Sequence, residues 1–86
     1  MAVQNLSLDG IKDFNSSEKI TIIDFWADWC APCRALAPLL DSLSHKYEGT
    51  VKVAKVNISS YPEAGSTYSV TSIPCLVVFR DGKEVI

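Results

Sequence analysis

The sequence lacks a long apolar segment and an excess of basic residues. Its longest unbroken apolar run is Cys75 to Phe79, far short of the roughly 20 residues that a membrane-spanning helix needs. Eight Lys and Arg face ten Asp and Glu, for a net charge of −2, which argues against binding to nucleic acid or to a membrane. The first residues show no basic start followed by an apolar stretch, so we expect no signal peptide and a cytoplasmic location.

Cysteine and histidine are also scarce, with three Cys and one His. An odd number of cysteines does not form a complete disulfide framework. In a reducing compartment, a close cysteine pair is more often redox-active or metal-binding than structural. The remaining composition is ordinary: 86 residues, 48% of them hydrophobic, predict one small globular domain over residues 1–86.

The order of hydrophobic periodicities predicts an α/β fold. The stretch Ile20 to Trp26 is rich in β-branched and aromatic residues and predicts a central strand. From Cys33 to Glu48 the apolar residues follow a helical stripe, and a second strand begins at Val51. Strand, helix and strand in this order predict a βαβ unit with parallel strands. The stripe consists of Leu36, Leu39, Leu40, Leu43 and Tyr47.

Shorter elements complete the predicted sheet. Residues 3–6 suggest a first strand, and short helices are expected around Ile11 and over residues 63–68. A strand over residues 75–79 is followed by Asp81-Gly82, a tight-turn sequence, and by a last strand over residues 83–86. The turn predicts an antiparallel hairpin, so the sheet should be mixed, with helices on its faces.

Two cysteines lie where the first long strand meets the long helix. Cys30 and Cys33 are three residues apart, so both side chains lie on one side of the first helical turn, within bridging range. The partial positive charge of a helix N-terminus favours the thiolate of Cys30 and lowers its pKa. Cys33 should be less exposed, which suits thiol–disulfide exchange: an outer thiolate attacks and an inner thiol resolves the mixed disulfide. Pro32 is compatible with a first helical turn.

A metal site is the main alternative for this cysteine pair. A structural zinc needs four ligands, and the other soft candidates are Cys75 and His45. His45 is 12 residues beyond Cys33, about 18 Å along a helix, and cannot reach. We therefore predict redox chemistry and no metal.

Asp24 interrupts a strand that is otherwise apolar on both faces. Burial of a carboxylate is costly and raises its pKa, so a buried Asp24 near a reactive site is a candidate proton carrier. The alternative is an Asp exposed to water at the strand end. Asp28 is expected to be an exposed acidic residue with an effect on local charge.

The sequence closely resembles the thioredoxin family. The resemblance is carried by Asp24-Phe25-Trp26-Ala27, Trp29-Cys30-Ala31-Pro32-Cys33, Ala37-Pro38-Leu39-Leu40-Asp41, Val53-Ala54-Lys55-Val56-Asn57 and Ser72-Ile73-Pro74. It implies a three-layer thioredoxin-like fold and a protein-disulfide reductase with a redox-active Cys30–Cys33 disulfide. It also implies a role in electron transport and cell redox homeostasis, without a bound cofactor. The implied partners are disulfide-containing client proteins and a separate NADPH- and FAD-dependent thioredoxin reductase.

The resemblance also implies roles for residues around the pair. Cys30 is the implied nucleophile and Cys33 the resolving thiol, with Ala31 and Pro32 in a supporting role between them. Asp24 is implied to take the proton from Cys33, with Lys55 tuning this carboxylate. Trp29 and Ile73 would form an apolar patch for the substrate, next to a cis-proline at Pro74.

The sequence departs from the family at three places. Ala31 stands where glycine is commonest, and Cys75 stands where threonine usually follows the cis-proline; Cys75 is either a small buried hydrophobe or a third oxidisable thiol. The chain lacks the family's usual C-terminal helix, which leaves one face of the strand over residues 75–79 without cover. This predicts a fragment, a homodimer through that face, or marginal stability. A redox-idle binding module is the alternative function.

Overall fold

The computed structural model describes residues 3–15 and 19–85, which form a five-stranded mixed sheet in the order β1-β3-β2-β4-β5. The strands are β1 (Gln4–Asn5), β2 (Ile20–Trp26), β3 (Val51–Asn57), β4 (Cys75–Arg80) and β5 (Lys83–Glu84). The helices are α1 (Gly10–Asn15), α2 (Ala31–Lys46) and α3 (Pro62–Thr67). Ile86, the last residue of the predicted fifth strand, lies outside the described residues. None of these helices is long and apolar enough to cross a membrane.

The central strand β2 has one parallel and one antiparallel neighbour. It pairs with β3 up to Trp26, which is opposite Asn57, and with β4 up to Phe25, which is opposite Cys75. The C-terminal ends of β2 and β3 and the N-terminal start of β4 therefore meet at one edge of the sheet. The predicted parallel βαβ unit and the mixed sheet are confirmed.

The face of the sheet under α1 and α3 holds the larger core. Ile23 and Phe25 of β2 are fully buried there, and burial of each such side chain contributes about 1.5–3 kcal/mol. The ring of Tyr68 lies 5.6 Å from that of Phe25 and 6.0 Å from that of Phe79, within the range of favourable aromatic contacts. The buried members of this core are Ile11, Phe14, Ile23, Phe25, Ala54, Val56, Ala64, Val77 and Phe79.

The opposite face is covered by α2, which packs chiefly over β3. Leu40 of α2 is buried, and Val53 of β3, which alternates with the core residues of the other face, is buried as well. Leu39 was predicted to share the buried stripe, but it is 66% exposed. Leu76 of β4 is 43% exposed. Because α2 lies over β3, the side of α2 that carries Leu39 and the α2-facing side of β4 stay open to solvent.

The hairpin between β4 and β5 has the tight turn predicted from its sequence. Asp81 and Gly82 have φ angles of 53° and 79°, so both central residues are left-handed, as a two-residue type I′ turn requires. Phe79 pairs with Glu84 and Arg80 with Lys83. The short β5 is thus held in register by the turn.

We predict opposite outcomes for two glycine substitutions. Gly49, just beyond α2, has a φ of 90°, and an added Cβ would meet nothing within 4 Å. Gly49→Ala should therefore cost about 1 kcal/mol through backbone strain alone. Gly65→Ala is the control: it lies in α3, where alanine is preferred over glycine by up to about 1 kcal/mol. Urea unfolding of both variants measures the free energies, and equal effects of the same sign would contradict the assignment of strain to Gly49.

Candidate functional site

The two cysteines of the Cys-x-x-Cys sequence occupy the start of α2 and are joined as a disulfide. Cys30 is the N-cap of the helix, and its sulfur accepts a hydrogen bond from the backbone N–H of Cys33 at 3.3 Å. Their Cα atoms are 5.3 Å apart. Cys30 is 5% exposed and Cys33 is 1% exposed, so the outer sulfur belongs to Cys30 and the inner one to Cys33. The helix begins earlier than predicted because Cys30 caps it.

The cysteines pack in a small apolar cluster at the edge of the sheet. Ala27 is fully buried with them, and Trp26, Ile58 and Ile73 pack against the cluster. These residues come from β2, from the end of β3 and from the loop before β4. The strand pairing described above brings these three segments together, so the cluster depends on the sheet as a whole.

The exposed surface beside the cysteines carries the predicted substrate residues. Trp29 is 72% exposed, and Ala31 and Pro32 are exposed in the first turn of α2. Ile73 is half-buried against the cysteine cluster, and the Ile73–Pro74 peptide bond is cis. The disulfide is thus preceded in the chain by an exposed indole and is packed against the residue that precedes the cis-proline.

Asp24 is a fully buried carboxyl group in β2. Among the described residues, neither of its oxygens has a hydrogen-bond partner. Burial raises the pKa of Asp24 from 3.8 to about 6, against an opposing effect of the Lys55 ammonium. A carboxyl with this pKa can accept and release a proton near neutral pH, which a surface Asp does not do.

Lys55 is adjacent to Asp24 on β3, in register with it. Its Nζ lies 4.4 Å from the centroid of the Trp26 ring, a distance typical of a cation–π contact. Trp26 is two residues beyond Asp24 and shares its face of β2. The ring therefore contacts both the lysine and the cysteine cluster, a role of Trp26 that the sequence interpretation missed although the alternation of β2 could have indicated it.

The sequence interpretation also missed two hydrogen bonds to Asp28, at the turn between β2 and α2. The Asn57 amide donates to the Asp28 carboxylate at 3.3 Å, and the Arg34 guanidinium donates to the Asp28 backbone carbonyl at 2.7 Å. Asp28 is exposed, as expected, but it is held by both partners. The signal in the sequence was the position of Asn57 at the end of β3, at the edge where the cysteines lie.

The third cysteine is separate from this pair. Cys75 is a free, half-buried thiol at the start of β4, and it packs against the core under α1 and α3 rather than in the cysteine cluster. Within residues 3–15 and 19–85, no three His, Cys, Asp or Glu side chains are grouped to hold a metal ion.

Comparison with known protein families gives a match over most of the chain. The family model described as Thioredoxin matches residues 9–86. The chain is 46% identical over 74 residues to a thioredoxin of Synechocystis sp., which covers 86% of the chain and 69% of that protein. It is 47% identical over 64 residues to thioredoxin 1 of Synechococcus elongatus, covering 74% of the chain and 60% of that protein. The chain thus spans roughly two thirds of the length of these relatives.

Comparison with solved structures gives the same answer for the fold. A thioredoxin of Malassezia sympodialis superposes with a TM-score of 0.90 and 28% sequence identity. The superposition covers 99% of this chain and 76% of the other. The sheet and helices described above are therefore shared with that protein nearly throughout the chain.

We predict that the burial of Asp24 makes stability depend on pH. The folded state retains a proton on Asp24 that the unfolded chain releases between pH 3.8 and about 6. Stability is therefore lost as pH rises through this window, by up to about 3 kcal/mol. Asp24→Asn removes this pH dependence. In urea unfolding, the free energy of unfolding of the variant should therefore rise relative to that of the parent between pH 4 and pH 7. A constant difference between the two proteins would contradict a raised pKa.

We also predict that Lys55 restrains this pKa. Lys55→Gln removes the ammonium that lowers the pKa of Asp24, so the carboxyl should titrate above about 6 in a carbon-detected NMR titration. The matched control is Lys52→Gln. Lys52 lies on the same strand but its ammonium is 4.3 Å from the Phe14 ring, on the other face, so the Asp24 pKa should not move. An unchanged Asp24 titration in Lys55→Gln would refute the interaction.

Proposed function

The chain belongs to the thioredoxin family and carries its thiol–disulfide oxidoreductase centre, and we propose that Cys30 and Cys33 reduce the disulfides of client proteins. The observation that supports these roles best is the capping geometry of Cys30. Its sulfur accepts the Cys33 N–H at the helix start, where backbone dipoles favour negative charge. In the reduced protein the same N–H stabilises a thiolate at Cys30, which is the nucleophile of disulfide exchange.

The proposed reaction has two displacement steps. The Cys30 thiolate attacks one sulfur of the client disulfide, and the other client sulfur leaves as a thiolate and takes up a proton. Cys33 then loses its proton and attacks the Cys30 sulfur, which releases the second client thiolate and forms the Cys30–Cys33 disulfide. Two electrons pass from the cysteine pair to the client. The described structure, with its disulfide, corresponds to the end of this cycle.

We assign the proton from Cys33 to Asp24, directly or through water. A buried thiol needs a base to become a nucleophile, and a carboxyl with a pKa of about 6 is mostly ionised near pH 7. Lys55 is the residue that keeps this carboxyl from becoming more basic, because its ammonium favours the ionised form. Asp24 is thus the proposed proton acceptor, and Lys55 adjusts its pKa.

The client is proposed to dock on Trp29, Ile73 and Pro74. The exposed Trp29 indole, next to Cys30 in the chain, offers apolar area, and Ile73 packs against the cysteine cluster. Interfaces of this kind favour large exposed aromatic side chains. Ala31 and Pro32 lie between the two cysteines in the chain and offer no bulky side chain to obstruct an approaching disulfide.

Electrons for the next cycle have to come from outside the chain. We propose a separate NADPH- and FAD-dependent thioredoxin reductase as the electron donor, with no cofactor bound to this chain. We also propose the cytoplasm as the compartment, because thiols are kept reduced there. The homodimer expected from the sequence has no support in the described part of the chain, and we do not propose it.

We predict that Cys30 is essential for catalysis. Cys30→Ser should lower the rate of insulin reduction by dithiothreitol to that of dithiothreitol alone, because serine is not a nucleophile toward disulfides at neutral pH. Cys75→Ser is the matched control and should keep the parental rate, since Cys75 packs outside the cysteine cluster. Equal rates for the parent and Cys30→Ser would leave the redox-idle binding module as the function.

The resolving role of Cys33 is read out with pre-reduced protein from which dithiothreitol has been removed, because dithiothreitol would itself cleave a mixed disulfide. Cys33→Ser retains the attacking thiolate but cannot complete the second displacement, so it should accumulate a covalent mixed disulfide with insulin. Non-reducing electrophoresis measures this adduct. Its absence in Cys33→Ser, together with normal folding of that variant, would reverse the assignment of the two cysteines.

A further inference from the structure

The turn that carries Trp29 and leads to Cys30 is held from two sides. On one side, the Asn57 side-chain amide at the end of β3 donates to the Asp28 carboxylate at 3.3 Å. On the other, the Arg34 guanidinium in the first turn of α2 donates to the Asp28 backbone carbonyl at 2.7 Å. We call these contacts the Asp28 clamp. They connect the turn to the end of β3 and to the first turn of α2.

The orientation of Asn57 is set by a second contact. The backbone N–H of Ser59 donates to the side-chain oxygen of Asn57 at 2.9 Å, so the amide nitrogen of Asn57 is the atom left to face Asp28. The backbone is fixed here as well, since the N–H of Ile58 donates to the carbonyl of Trp26 at 2.9 Å and continues the β2–β3 pairing beyond its last residue. Asn57 is therefore a rigid anchor for the clamp.

Trp29 has few contacts of its own that could hold it. Its side chain is 72% exposed, so the position of the indole depends on the backbone of the turn rather than on packing. Ordering a mobile turn when a partner docks reduces affinity, and a turn held in place beforehand avoids that cost. A clamp on the neighbouring residue is thus suited to presenting Trp29 to a client.

From this geometry we propose that Asn57 and Arg34 are positioning residues that act through Asp28 to hold Trp29 in place for client docking. The inference rests on the proposed reduction of client proteins. Neither residue touches the reacting sulfurs through the clamp, so their effect should fall on the binding of a protein client. The two contacts act on different parts of Asp28, one on its side chain and one on its backbone, so they can be tested separately.

The side-chain contact is tested by exchanging its partners. Asn57→Asp keeps an oxygen for the Ser59 N–H but replaces the donor to Asp28 with a second carboxylate, so kcat/KM for insulin should fall about two- to fivefold, mainly through KM. Asp28→Asn alone keeps an acceptor for the Asn57 amide and should stay near the parent. Combining N57D with D28N restores one donor and one acceptor, and the double variant should recover the parental kcat/KM.

The backbone contact is tested at Arg34. Arg34→Met removes the donor to the Asp28 carbonyl and should raise KM for insulin, whereas Arg34→Lys keeps a donor and should retain most of the affinity. Lys46→Met is the control for loss of a positive surface charge, because Lys46 is an exposed residue of α2 about 20 Å along the helix from Cys33. It should leave KM unchanged.

A second substrate separates positioning from general damage. Reduction of a small disulfide, 5,5′-dithiobis(2-nitrobenzoate), by the pre-reduced protein in a single turnover needs little of the Trp29 surface and should proceed at the parental rate in N57D and R34M. The Trp29 indole signal in NMR should shift or broaden in N57D and return in the D28N/N57D variant. An equal loss on both substrates, or a double variant as impaired as N57D, overturns the inference. A parent that reduces neither substrate refutes the proposed function instead. The Trp29 indole signals would still test the clamp in that case, because they do not depend on catalysis.

Discussion

The site depends on the pairing of β2 with neighbours that run in opposite directions. Parallel pairing with β3 and antiparallel pairing with β4 bring the end of β2, the end of β3 and the start of β4 to one edge. The helix that follows β2 begins at this edge, so its positive N-terminal end and the two cysteines lie there as well. A shift of β2 by one residue would exchange the residues of its two faces and separate Asp24 from the α2 side.

The buried carboxyl of Asp24 places its proposed role as a base in conflict with stability. A small domain buries only about 60–65% of the surface of its unfolded chain, so it has little stability in excess. A carboxylate without a hydrogen-bond partner in the central strand is costly when ionised, and the same burial raises the pKa of Asp24. The nearby Lys55 ammonium reduces this cost without removing it. In return, the site contains a carboxyl group whose pKa is close to neutral pH.

The residues themselves predicted the local features of the site, whereas contacts between distant segments were either implied by the family resemblance, as for Asp24 with Lys55, or missed. Cys30 and Cys33 are three residues apart at a strand-to-helix junction, so their proximity follows from helix geometry. The cation–π contact of Lys55 with Trp26 and the clamp between Asp28 and Asn57 join β3 to β2 or to the turn after it. Such pairs require the register of the two strands, which single-strand periodicity does not contain. The exposure of Leu39 was missed for a related reason, since a helical stripe does not reveal how many strands lie beneath it.

The sequence by itself determined the order of strands and helices, the tight turn at Asp81-Gly82 and the placement of the two cysteines at a helix start. Each of these follows from backbone preferences and side-chain periodicity within one segment. The tertiary structure decided between a buried and an exposed Asp24, which the residues alone had left open. It alone showed that Trp26 lies beneath Lys55 and that Asn57 and Arg34 hold Asp28. Burial and long-range hydrogen bonds exist only once separate segments have packed, because they are properties of distances between residues that are remote in the chain.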